Sequence, residues 1–365
     1  MFRSRTISGY IARLFLFWFV AVMAAVMAVI LLIDLIELVR RAAGKPEATF
    51  DIVFRMALLH IPHLLQEIIP FAVLYGTMVA FVRLTRAHEL VVVRAAGLSV
   101  WQFLQPALLL AFVIGMIKIT LLDPAAAIML SKFEELEGRY VSGKSSLLAV
   151  SSSGMWLRQV DTGGDEAVIH ARRVVPAQME LQDVIVFLFE GRDRFAGRID
   201  AASARLTEGY WELDSAWMTG PDLPGRRHET YRFETDLTAE KIQESFASPE
   251  TISLWQLPGF IKVLEDTGFS SVSHQLRLYS LLAEPLLLMA IVMVAVTFSL
   301  RPSRRGGTGA LIGVGVVTGF ALYLLTNIVH ALGLGTGVPV IFSAFMPAVF
   351  TLALGLSFLL HLEDG

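Results

Sequence analysis

Six long apolar stretches, three on each side of a polar insert, limit this chain to very few folds. They cover residues 11–36, 52–82, 100–122, 276–300, 308–332 and 338–360. Each supplies the roughly 20 helical residues needed to cross a hydrocarbon core about 30 Å thick. Hydrophobic residues make up 55% of the 365 positions and charged ones only 17%. The mean hydropathy of +0.62 lies outside the range of soluble globular chains. The chain reads as an integral membrane protein. A net charge of −3 offers no concentrated basic surface for nucleic acid. With no cysteines, disulfides, thiolate metal sites and cysteine nucleophiles are excluded. The first stretch has upstream arginines and small residues up to Ala28, as a signal peptide does. Its apolar run continues past Ala28, so it is expected to remain as a span.

Arginines in short loops set the expected orientation, because Lys and Arg accumulate on the cytoplasmic side. Arg3, Arg5 and Arg13 precede or open span 1, Arg83, Arg86 and Arg94 follow span 2, and Arg301, Arg304 and Arg305 follow span 4. All three clusters fall on one side. Both termini are therefore expected in the cytoplasm, with the insert outside it. Arg40, Arg41 and Lys45 oppose the trend, in the outer loop after span 1.

Within the insert, at 123–273, apolar residues alternate in short runs separated by turn residues, a strand signal. Strands are expected at 155–160, 167–171, 183–189, 198–202, 210–217 and 230–235, and a helix at 254–267. The expected architecture is an α-helical membrane protein of six transmembrane helices, 3+3, with an inserted extracytoplasmic all-β jelly-roll-like domain. The divisions are 1–122 for the first three helices, 123–273 for the β-domain and its connecting helix, and 274–365 for the last three. An edge strand of such a domain could pair with another β-protein. The run Gly138-Arg-Tyr-Val-Ser-Gly143-Lys144-Ser145 has the letters of a phosphate-binding loop. A working one needs a strand before it and a helix after it; here a charged helical run precedes and a β-like run comes after. It is read as no nucleotide site.

A charge at the bilayer centre costs about 2.5 to 3.5 kcal/mol on insertion scales, so Glu67, Lys118 and Glu284 stand out. Glu284 precedes Pro285, which kinks a helix. Glu67 and Glu284 fit either structural polar contacts or a polar cavity. His60, His63 and Glu67 share one helical face but lack the i, i+4 histidine pair of a zinc-protease helix, so no metal site is assigned. Gly315 and Gly319 form a GxxxG, suited to close helix packing within the chain or between subunits. Arg40 and Arg41 follow Glu37 closely enough to pair with it. With Lys45 they would equally suit an anionic lipid head.

Between spans 2 and 3, residues 83–97 have a helical pattern too charged for lipid. On a continuous helix, Leu84, Ala87, Val91, Ala95 and Leu98 share one side. Arg86, Glu89, Leu90 and Val93, with Arg94 nearby, form a mixed face suited to a groove on another protein. A loop helix resting on lipid headgroups is the alternative. Two other functional classes stay open on the residues alone. One is an ion-coupled secondary lipid transporter using Glu67, Lys118 and Glu284; the other is a lipid-modifying enzyme, for which no nucleophile and base are found at suitable spacing.

The segment Glu89-Leu-Val-Val-Val-Arg-Ala-Ala-Gly-Leu-Ser99 resembles the coupling-helix motif of the lipopolysaccharide-export permeases of Gram-negative bacteria, the LptF/LptG family. The resemblance covers essentially the whole chain. Gly9-Tyr-Ile-Ala-Arg-Leu-Phe-Leu16 and Ile33-Asp-Leu-Ile-Glu37 are similar to the LptG branch. It implies an inner-membrane ABC-type permease that extracts lipopolysaccharide from the outer leaflet and passes it to a periplasmic jelly-roll bridge. Implied partners are an LptF-like permease, a cytoplasmic LptB-like ATPase dimer, and LptC-like and LptA-like jelly-roll proteins. ATP and magnesium would be bound by the ATPase partner, with no cofactor in this chain. Arg86, Glu89, Leu90, Val93 and Arg94 would contact the ATPase, and Arg40, Arg41 and Lys45 the lipid phosphates. Arginines at 40 and 41 stand where the family often has lysines, which keeps charge but changes geometry.

Overall fold

The computed structural model describes residues 5–45, 48–90, 95, 99–142, 148–151, 154–160, 166–175, 180–190, 194–207, 209–221, 223–235, 248–267, 269–300, 308–335 and 337–363. The chain forms two compact units. One contains Met1–Val141, Glu250–Trp255 and Val272–Gly365; the other contains Ser142–Pro249 and Gln256–Ser271.

The first unit is helical, and each expected span is a helix. They are α1 (Arg5–Ala42), α2 (Phe50–Arg86) and α3 (Val100–Ile117), then, after the insert, α6 (Val272–Leu300), α7 (Thr308–Gly335) and α8 (Val340–Glu363). Residues 288–296 of α6 are almost all buried, leaving only Met289 part-exposed, as expected of a helix that is apolar all round. It packs on α8, α2 and α3. Small residues allow the closest approaches. A Cβ on Gly76 would come within 2.8 Å of the Phe19 backbone, and one on Gly115 within 2.6 Å of Pro285 Cα. The Gly315 and Gly319 pair serves an intramolecular contact: added Cβ atoms would lie 2.9 Å from Met78 Sδ and 3.1 Å from Leu74 Cδ2, both on α2.

The third span departs from expectation. α3 passes through a π-helical turn, Lys118–Leu122, and continues as α4 (Asp123–Glu137) into a second π turn, Gly138–Ser142. The boundary expected at 123 therefore moves to Ser142. Hydropathy hides α4 because only one side of it is apolar. Leu130 and Phe133 pack with Leu38, Ala42, Val53, Met56 and Ala57 of α1 and α2, forming a core separate from the main one. At 1.5 Å per residue the 38 residues of α1 extend about 57 Å, well beyond a hydrocarbon core. The terminal stretch of α1 is thus long enough to leave the apolar layer and join α4.

The second unit is one seven-stranded antiparallel sheet in the order β1-β2-β3-β4-β5-β6-β7. Its strands are β1 (Leu148–Ser151), β2 (Gly154–Val160), β3 (Glu166–Val175), β4 (Glu180–Glu190), β5 (Arg194–Thr207), β6 (Tyr210–Gly220) and β7 (Leu223–Glu234). Six strands were expected; β1 was not. The connectivity is that of a meander, and the sheet rolls over its apolar face. Gln159 on β2 donates to the Glu234 carbonyl at the end of β7 (3.0 Å) and accepts from Thr235 Oγ1 (2.7 Å). Leu157, Ile169, Val186, Ile199, Trp211 and Leu213 form the inner core, joined by Phe269. The helix expected at 254–267 is α5 (Leu257–Thr267); it starts later because Leu254 and Trp255 belong to the membrane unit.

Alternation along three strands changes phase at one line across the sheet. In β4 the buried positions pass from Leu181 to Val184 and Val186, and in β6 from Leu213 to Ala216. Asp183 and Ser215, at the points of change, have φ of 53° and 54°. In β5 the corresponding step is from Ala201 to Ala204. A residue in the left-handed region turns the strand locally, while the register with the neighbouring strands runs one-to-one through both points. Two such bends near one line crease the whole sheet.

Candidate functional site

The cations at the end of α1 are paired within the chain. Arg40 donates from Nε and Nη2 to the two oxygens of Glu37, at 2.8 and 2.7 Å. Arg41 Nε donates to Glu37 Oε1 and its Nη1 to Glu137 Oε1, both at 2.9 Å. Arg41 therefore ties α1 to α4, whereas the Arg40 side chain stays 74% exposed and bonds only within its own helix. Lys45 is exposed. The three side chains form an exposed basic edge in which, of the two arginines, Arg41 is the one anchored to a second helix.

Beside that edge lies a layer of polar contacts among helices. His60 Nδ1 lies 3.0 Å from Asp34 Oδ1, and its ring stacks on Phe133 at 4.5 Å. His63 Nε2 is 3.7 Å from both Glu67 and Glu250 carboxylates. Glu67 itself is 67% exposed. Among the described residues no three His, Asp or Glu side chains converge as a metal site. Deeper in the unit, the buried Asp123 accepts from Arg277 Nη2 at 2.9 Å and from the Leu254 backbone N–H at 2.8 Å. The same Arg277 nitrogen lies 3.3 Å from Gln66 Oε1. Asp123 thus joins α4, α6 and the segment 250–255 that arrives from the insert. Sequence reasoning missed this node and the Asp34–His60 pair. The signal was available, since Asp34, Gln66 and Arg277 are polar residues inside apolar runs, the pattern that singled out Glu67.

Glu284 does not meet Glu67. It accepts a hydrogen bond from Lys118 Nζ, and both side chains are largely buried. Lys118 opens the π turn, and Pro285 sits against Gly115 one turn earlier. Among the described residues the two carboxylates thus have different partners, Lys118 for Glu284 and His63 for Glu67.

The segment after α2 is not one continuous helix. Ala87 and His88 form a turn, with His88 at φ 57°, and helical backbone resumes at residues 89 and 90. This break re-aims the residues beyond it. Leu90, expected on the partner-facing side, is 5% exposed and lies in the main core of the membrane unit. Ala87, expected on the inner side, is exposed. Arg86 ends α2 and is exposed, while Glu89 is half-buried and accepts from Tyr10 Oη of α1 at 3.3 Å. Val93 and Arg94 lie outside the described residues, as do Arg301, Arg304 and Arg305. The phosphate-loop-like run begins in the π turn Gly138–Ser142, directly after the helix α4, and leads toward β1; residues 143–147 lie outside the described residues. Helix before and strand after is the reverse of the order such a loop requires.

With six spans and a rolled sheet between the third and fourth in place, comparison with known proteins covers nearly the whole chain. The family model "Lipopolysaccharide export system permease LptF/LptG" matches residues 9–361. The lipopolysaccharide export system permease protein LptG of Escherichia coli K12 is 25% identical over 345 residues, covering 90% of this chain and 92% of that protein. The protein of the same name from Haemophilus influenzae is 23% identical over 343 residues, with the same coverage of both chains. This chain belongs to the LptF/LptG family of lipopolysaccharide export permeases and stands closer to its LptG branch.

Proposed function

We propose that this chain is one half of an ABC-type lipopolysaccharide exporter in a bacterial inner membrane, with both termini cytoplasmic and the sheet periplasmic. An LptF-like permease would complete the membrane part, an LptB-like ATPase dimer would supply ATP hydrolysis with bound magnesium, and LptC-like and LptA-like jelly-roll proteins would receive the lipid. The observation that carries the reading is the break at His88. It ends α2 and starts a new helical turn at Glu89 and Leu90, at the arginine-rich end of the spans.

A load on that element reaches α1 through the Tyr10–Glu89 hydrogen bond and the main core through Leu90. Movement of α1 would narrow a lipid cavity that the two permeases enclose. Lipid is expelled only if the two states bind it with different affinity. Arg40, Arg41 and Lys45 provide for capture, since guanidinium groups bind phosphate through paired, charge-assisted hydrogen bonds. Glu37 holds Arg40 and Arg41 until phosphate replaces it. In vesicles carrying the complete exporter, Glu89→Ala is expected to lower ATP-driven lipid release while leaving lipid co-purification intact. Release at the wild-type rate would remove Glu89 from the coupling path.

A further inference from the structure

The sheet face opposite the core carries a row of side chains that solvation alone does not call for. Strand register places Trp156, His170, Ile185, Asp200, Trp217 and Arg227 side by side across β2 to β7. The solvated face of an antiparallel sheet ordinarily reads polar. Here Trp156 and Trp217 remain 38% and 46% exposed. Trp217 rests over Gly225, where an added Cβ would come within 2.7 Å of the ring. The missing side chain lets the indole approach the β7 backbone while much of the ring stays exposed. Between the two indoles, Arg198 Nε donates to Asp200 Oδ1 at 3.1 Å, and the guanidinium lies 5.7 Å from the Phe187 ring centre. At about 4.8 Å per strand, the four steps from Trp156 to Trp217 separate the indoles by about 19 Å along the sheet.

Half-exposed indoles on either side of a carboxylate–guanidinium pair, that of Trp156 packed at 4.3 Å against the His170 ring, match the chemistry of a saccharide. A sugar ring presents an apolar C–H face to an aromatic ring and hydroxyls at its rim to Asp and Arg. Arg198 and Arg227 further favour an acidic or phosphorylated one. We propose that this outer face binds the saccharide part of the exported glycolipid. The proposal rests on the family reading that the cargo is a lipopolysaccharide.

The test is calorimetric titration of the full-length protein in nanodiscs with the core oligosaccharide freed from lipopolysaccharide by mild acid. Saturable binding is expected, weakened at least about tenfold, or about 1.4 kcal/mol, by Trp217→Ala and by Gly225→Val. The second variant leaves every polar group of the row in place and only displaces the ring. Lipid A, which lacks that oligosaccharide, should bind wild type and both variants equally. Absence of saccharide binding to wild type, or equal binding by the variants, would overturn the proposal. So would variants that lose cross-linking to another protein while keeping saccharide affinity. Co-purification of intact lipopolysaccharide is read in parallel. If it persists while the free saccharide fails to bind, the outer face is refuted and the export reading stands; if it is absent, the export reading itself fails.

Discussion

Lys118 and Glu284 form an ion pair within the apolar layer, where either partner alone would be an uncompensated charge. Removing one member of a buried pair typically costs about 3–5 kcal/mol, whereas removing both is often close to neutral. Lys118→Met is therefore expected to destabilise the membrane unit by about that amount, and Glu284→Gln in the same chain should restore most of it. Thermal unfolding of the detergent-solubilised protein measures both. A single variant as stable as wild type would show that the pair holds nothing together. Glu37 poses the opposite question. If Arg40 and Arg41 capture lipid phosphates, Glu37 competes with the lipid, and Glu37→Gln should raise the amount of lipopolysaccharide that co-purifies. If the arginines serve only the structure, Arg40 within α1 and Arg41 between α1 and α4, the substitution leaves lipid content unchanged and Arg40→Glu with Arg41→Glu has no effect on it either.

At the scale of elements, the contact of α3 with α6 depends on Gly115, which brings the two backbones together at Pro285. Gly115→Leu would force the helices apart beside the Lys118–Glu284 pair. Overpacking of this kind costs about 1–3 kcal/mol, so a lowered melting temperature is expected, together with greater protease access to residues near the π turn. Retained stability would mean that α3 and α6 slide freely past each other. The π turn itself left no trace in the sequence, because hydropathy responds to composition and not to one extra residue per turn. Spans and strands were legible for the complementary reason, since apolar length and period-2 alternation derive directly from which faces are buried. α4 was not, because its charged side lowers its average below that of a span. The segment 83–97 shows the limit most clearly. Its 3.6-residue pattern continues across His88, so a helical wheel assigned Leu90 and Ala87 to the wrong sides; the left-handed His88 changes the direction without changing the pattern. In the basic edge, sequence spacing identified the Glu37–Arg41 pairing, but only the position of α4 reveals Glu137 as the second partner of Arg41.

Across the whole molecule, the chain passes between its two units four times: at Ser142, on either side of the visit at residues 250–255, and again before Val272. The middle visit is fixed by Asp123, which holds the Leu254 amide while bonding Arg277. The sheet unit nevertheless has a core of its own, built from Leu157, Ile169, Val186, Ile199, Trp211 and Leu213. Leu257 and Leu264 of α5 are buried as well, and α5 packs on β1 and β3. Among the described residues, the sheet's apolar cluster is built from residues of the second unit. Residues 142–271 are therefore expected to fold when expressed without the helices, with 250–255 released as a solvated loop. Far-UV circular dichroism should show a β-rich spectrum, and unfolding should be a single cooperative transition. Trp211 is among the largest fully buried side chains of the protein, and truncating such a residue costs about 3–5 kcal/mol, a large share of a domain's whole stability. In the isolated unit Trp211→Ala should abolish the transition. In the full-length protein it should remove the β-sheet signal while the helical signal persists. Loss of both signals together would show that the membrane helices depend on the sheet.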